Sequence, residues 1–157
     1  MGFFATLAQA ITRFGLIAAE AHVIEHAALE AGGKVFIERA KAAIGTYEYG
    51  WIELDPATIA RKQHGDTPLL DTGEIRDSGG YEVHGNRLIA GFTDEKIVYH
   101  EYGTRHHPPR PVVGGTVEYH GHEIARIVGV GFAEIAVASL FTGSAVSAIG
   151  HVLAHHR

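Results

Sequence analysis

Residues 3 to about 44 form the longest stretch of the chain with a single helical period, since Phe4, Leu7, Ile11 and Phe14 recur at three- and four-residue spacing among many alanines. A helix that long presents an extended apolar face, and the rest of a 157-residue chain has to cover it. Gly32-Gly33 interrupts the run and predicts a break or kink, after which Val35, Phe36, Ala40, Ala43 and Ile44 give a second segment its own stripe. Gly45 is expected to stop it. The opening MGFFATLAQAITRFG lacks the basic start and small-residue cleavage site of a secretory signal and is read as part of the fold.

Past Gly45 the pattern changes. Residues 45–68 carry Gly, Asp-Pro and two aromatic clusters without a period, so an irregular connection is expected, with one helical turn at 56–62 started by Pro56 after Asp55. Tyr81 to Phe92 reads as a β-hairpin, because YEVH and RLIAGF are strand-like runs joined by Gly85-Asn86, which tolerate positive φ. Asp94 to Tyr102 reads as a short helix, with Asp94 near its cap and Gly103 ending it in a left-handed conformation. In HHPPRPVV the residues before proline are biased to extended geometry, which predicts a stiff exposed arm. Residues 116–128 fit either a strand pair turning at Gly121 or a helix.

The length suits one domain, 1–157, with a sizeable core. Thirteen basic against 18 acidic residues give a formal charge of -5, so no global basic field draws the chain to nucleic acid or anionic lipid. The absence of cysteine excludes disulfide scaffolds, thiolate zinc sites and cysteine nucleophiles, and fits an intracellular place of folding. Ile135 to Ala154 has no formal charge over roughly a bilayer-spanning length, which leaves a small membrane-inserting protein, toxin or holin-like, as the second reading. Its Ser, Thr, Gly and His content and Glu134 at its edge favour a helix buried in a core or oligomer.

Three motifs point to chemistry, and each has a plainer explanation. Asp71-Thr72-Gly73 is the tripeptide of aspartic proteases, whose mechanism needs two carboxylates sharing a proton, but long helical runs flank it here rather than an all-β body. The same letters predict a helix start, with Asp71 as N-cap, Glu74 as its returning carboxylate and Leu70 and Ile75 as a hydrophobic staple, in a two-turn helix ended by Gly79-Gly80. His22-x-x-Glu25-His26 has the spacing of a zinc-binding helix but no sign of a third ligand, and solvated helix histidines explain it. His106-His107, His120-x-His122 and His155-His156 could chelate adventitious metal, but incidental roles fit them better. No catalytic residue, metal site or cofactor is assigned.

The middle segments taken together are more specific: Trp51-x-x-Leu54-x-x-x-Thr58-x-x-x-Lys62, then Pro68-Leu69-Leu70-x-Thr72-Gly73-x-Ile75-Arg76-x-Ser78, then Tyr99-His100-Glu101-Tyr102-Gly103-Thr104 and Pro108-Pro109-Arg110-Pro111. In this order they resemble the neck and tail-completion proteins of long-tailed bacteriophages, including the virion morphogenesis proteins of Mu-like phages. The resemblance covers residues 44–113; Gly79 and Val112-Val113 depart from the family pattern, and the Ala/Gly-rich 114–157 is a longer, helical C-terminal extension. It implies an α+β subunit with a small antiparallel sheet packed on a long helix, assembling as a hexameric ring in the virion neck after synthesis in the host cytoplasm. It also implies a tail terminator or head-tail connector, with the tail tube and the stopper or adaptor proteins as partners. Double-stranded DNA would pass through the lumen without sequence recognition, with no catalysis and no membrane. The expected assembly interface is Arg76, Glu101, Tyr102, Gly103, Pro108, Pro109, Arg110 and Pro111, with Arg110 or Arg76 paired to a carboxylate such as Glu101 of the same or an adjacent subunit.

Overall fold

A computed structural model describes residues 2–142. It is an α+β fold: a long N-terminal helix α1 (Gly2–Ala43), two single-turn helices α2 (Pro56–Ile59) and α3 (Glu74–Asp77), an antiparallel hairpin β1 (Gly79–His84) and β2 (Arg87–Phe92), a short helix α4 (Lys96–Tyr102) and a C-terminal helix α5 (Val113–Thr142). α5 and both strands pack on α1, which is therefore the spine of the fold. The hairpin register pairs Gly79 with Phe92 and His84 with Arg87 around the turn at Gly85-Asn86, as the alternation predicts. The core gathers Phe36, Ile37, Ala40 and Ala43 of α1 with Ile44, Tyr49, Trp51, Ile75, Ile97 and Val112.

The expected break at Gly32-Gly33 does not occur, and α1 runs through both glycines. Glycine in a helix interior costs about 1 kcal/mol relative to alanine, but here the missing Cβ atoms make room for neighbours. A Cβ on Gly32 would lie 2.5 Å from Val128 Cγ2 of α5, and one on Gly33 would lie 2.6 Å from the Tyr81 ring and 2.7 Å from Leu88 of the hairpin. The glycine pair marks where α5 and the sheet come closest to the spine. Residues 116–128, left open between strand and helix, lie wholly in α5.

The helix start at Asp71 is also corrected. α3 has one turn, its N-cap is Gly73 at φ 89°, and no side chain caps it. Asp71 instead accepts the Gln63 N–H at 3.3 Å, and Glu74 is drawn to Lys96 rather than back to the cap. Ser78 closes the turn, so Gly79 and Gly80 open β1 instead of ending a helix. At Gly79 the strand runs so close to its neighbours that a Cβ would fall 2.8 Å from Phe92 and 2.9 Å from Lys41 of α1.

Between α1 and α3 the chain is irregular but tied down. Gly45 donates to the Pro68 carbonyl at 2.8 Å, and the Tyr47 hydroxyl donates to Asp66 while accepting the Leu54 N–H. α2 starts as expected, with Asp55 accepting from Ala57 at 2.8 Å and Pro56 in its first turn. α4 also starts as read, its first N–H reaching the Asp94 carboxylate at 2.9 Å, and Gly103 ends it, at a positive φ of 72° but with ψ 176°, an extended turn-out instead of the left-handed helical conformation expected.

Candidate functional site

The segment from α4 to the start of α5 holds most of the residues expected at an interface, and the structure gives them different partners. After Gly103 the chain reverses through Thr104–His107, joined by a 3.0 Å bond from the Thr104 N–H to the His107 carbonyl. Glycine is needed at this turn, since a Cβ on Gly103 would meet the Pro109 nitrogen at 2.8 Å. The returning strand is pinned by the Arg110 N–H, which donates to the His100 carbonyl at 2.7 Å. The proline stretch is thus no free arm. Pro108 and Pro111 are half-buried, Val112 is fully buried and Arg110 is 7 % exposed, because Arg110 and Val112 fold back under α4 onto the core.

Glu101 and Arg110 do not pair with each other within the chain. The Glu101 carboxylate accepts three backbone N–H groups at the start of α5, from Val112 at 2.9 Å, Val113 at 3.1 Å and Gly114 at 2.6 Å. A carboxylate there satisfies donors that have no partner inside the helix and opposes the positive end of the helix dipole. Arg110 sends one Nη2–H to the Ile52 carbonyl at 3.0 Å, clamping the irregular connection to α4. Among the described residues its Nε–H finds no acceptor, and the Trp51 indole N–H and His100 Nδ1 are likewise without a hydrogen-bond partner. Arg76 lies on the surface, 3.8 Å from Asp77, a contact that adds little to stability. Tyr102 is 80 % exposed, and with Tyr99 and Val98 it leaves uncovered apolar surface on α4; Ile52 is exposed as well.

A cleft of about 390 Å³ opens beside this clamp, with Leu54, Leu69 and Ile75 as its apolar wall. Lys62, Lys96, His100, His107 and Arg110 supply its basic side, and Asp71 and Glu74 its acidic side. The His100 and His107 rings lie 5.2 Å apart. Burial lowers the pKa of His100 below its usual value, and the positive charges of His107 and Arg110 lower it further. Leu69, in the wall, holds a left-handed backbone at φ 61°, an unfavourable conformation for a branched residue.

The chain matches no family model, no curated protein and no solved structure. The functional reading therefore rests on the residues themselves.

The other sequence candidates are dispersed. Asp71 is exposed at the cleft rim, where its carboxylate is engaged by the Gln63 amide and Glu74 is held by Lys96. His22 and His26 sit on α1 as exposed partners of Glu25 and Glu30, at 3.8 and 3.7 Å. Arg105 donates to His106, and His120 bridges Glu48 and Glu123. Among the described residues no three His, Asp or Glu side chains converge as a metal site, and no helix is long and apolar enough to cross a membrane. Ile135 to Ala154 runs beyond the described residues, and His155-His156 lies outside them. Sequence reasoning missed Glu101 as a helix cap, since 11 to 13 residues separate it from the amides it serves. It missed His100 as a cleft residue for a similar reason: no local pattern marks it.

Proposed function

We propose that this chain is a structural subunit of a tailed-phage neck, a tail terminator or head-tail joining ring through which DNA passes. One observation carries the reading. The segments that resemble the neck family are scattered over residues 51–111, yet they meet at one place: Leu54, Thr58, Lys62, Thr72, Gly73, Ile75 and Arg110 border the same cleft, and Trp51 lies in the core beneath. Motif positions that converge in space form one unit of structure, which supports reading them together.

Two further features suit assembly. A two-stranded hairpin is a marginal sheet with open edges, ready to be extended by a neighbour. The exposed Tyr102, Tyr99 and Val98 of α4, and Ile52, add apolar surface available for contact. The formal charge of -5 suits a lumen in which phosphates slide rather than bind. Arg76 on α3 and Tyr102 at the end of α4 remain interface residues in this proposal, whereas Arg110 and Glu101 act by shaping the α4–α5 corner that presents Tyr102. Negative-stain electron microscopy of the purified chain, alone and with isolated tail tubes, tests this. Rings of fixed order, free or at the tube end, are expected, and monomers that neither close into rings nor bind tubes would overturn it.

A further inference from the structure

We propose that the cleft between α4, the 103–112 loop and the 69–75 segment is an oxyanion site, binding a carboxylate or phosphate group through Arg110, His100 and Lys62. The proposal stands whether or not the chain forms rings.

Arg110 is the first ground. Its side chain is 7 % exposed, one nitrogen is committed to the Ile52 carbonyl, and its Nε–H has no acceptor. A buried charged donor left without a partner is costly, and such groups mark places where something else completes the bonding. His100 Nδ1, in the same wall, is likewise without a partner. Both nitrogens are closed off from bulk water, and both residues line the cleft, which puts the unmet bonding capacity at its wall.

Charge is the second ground. Lys62, Lys96 and Arg110 face Asp71 and Glu74, and both carboxylates have local partners, Glu74 on Lys96 and Asp71 on the Gln63 amide. Burial first, and then the electrostatic influence of His107, Arg110 and Lys62, disfavour protonation of His100, while Asp94 opposes them. A net positive recess with a planar guanidinium and imidazoles matches an oxyanion. The volume of about 390 Å³ lies within the range of small-ligand sites. The anion can be free, or it can be a side-chain carboxylate of a second copy, since the chain carries 18 acidic residues against 13 basic.

The test is NMR of the full chain with labelled histidines near neutral pH, at constant ionic strength, titrated with acetate and with inorganic phosphate. His100 and His107 are expected to shift saturably, with an affinity at least about tenfold above the response of exposed His22 and His26. Lys62→Gln, at the half-buried rim, is expected to weaken that affinity about threefold or more, and Arg110→Lys further. A second arm raises the protein concentration without added anion: movement of His100 there identifies a neighbour's carboxylate as the occupant, and movement only with added acetate or phosphate identifies a free anion. No saturable shift in either arm, parallel shifts at His22 and His26, or unchanged affinity in Lys62→Gln would overturn the site.

Discussion

Replacing Glu101 with alanine removes the only side-chain acceptor of three amides at the start of α5, two of them, Val112 and Val113, on buried or half-buried residues. Loss of a helix cap costs about 1 kcal/mol, and up to about 2 in a protein context. Loss of a negative charge at the positive end of the helix dipole adds about 0.5–1 kcal/mol. The Gly114 amide is exposed and regains water, so the sum for Glu101→Ala is about 1.5–3 kcal/mol. At an m-value of about 2 kcal/mol per M of urea, the unfolding midpoint should fall by about 0.75–1.5 M. Glu101→Gln keeps an acceptor oxygen but loses the charge, and should fall by about half as much. Urea unfolding followed by far-UV circular dichroism, at one fixed protein concentration, gives both values. An alanine variant within about 0.2 M of the parent would refute the capping role. If that variant also lost assembly at unchanged monomer stability, Glu101 would belong to an intersubunit pair instead.

Two glycines should respond with opposite signs. Gly33→Ala gains about 1 kcal/mol in helix propensity but drives a methyl to 2.6 Å from the Tyr81 ring, and overpacking of about 1–3 kcal/mol should leave it less stable. Gly129→Ala, exposed in α5 with open space around it, should raise the melting temperature by a few degrees, about what 0.5–1 kcal/mol gives; calorimetry decides both, and a stabilised Gly33→Ala would mean that α1 and the hairpin are not in close contact there. The depressed pKa of His100 sets a pH dependence. The folded state resists a proton that the unfolded chain takes up around the usual value of 6.5, so the contribution of His100 is full above that value and declines as pH falls through it toward the lower folded value. Urea midpoints from pH about 7.5 to about 5 should therefore decline less steeply in His100→Gln than in the parent, and parallel slopes would rule the effect out.

The elements that were legible in the sequence are those whose determinants sit within a few residues of each other. Gly85-Asn86 between alternating runs specifies the hairpin, Asp55-Pro56 specifies the start of α2, and Asp94 with Gly103 brackets α4. The misreadings have long-range causes. Gly32 and Gly33 look like a break until Val128, Tyr81 and Leu88 are seen to occupy the space beside them. Asp71 and Glu74 have the spacing of a capping box, but Gln63 and Lys96, brought in by other parts of the chain, take their side chains. The prolines around Arg110 were correctly read as non-helical. Pro109 is exposed as expected, but the burial of Arg110 and half-burial of Pro108 and Pro111 had no local sign, because the carbonyls that receive Arg110, those of His100 and Ile52, lie 10 and 58 residues away. Glu101 and Arg110 were recognised from the motif, and their partners were not, since a motif records residue types and order without saying which atoms meet.

The loop from Gly103 to Val112 is fastened at its base twice, by Arg110 on His100 and by the Glu101 carboxylate on the amides of residues 112–114. Its tip, with Arg105 and His106 exposed, is joined across by Thr104 and His107. A trypsin nick after Arg105 would therefore sever the covalent path between α4 and α5 without freeing either flank. The two fragments would stay together as one particle, and the corner would behave as a clasp whose integrity does not depend on an unbroken chain.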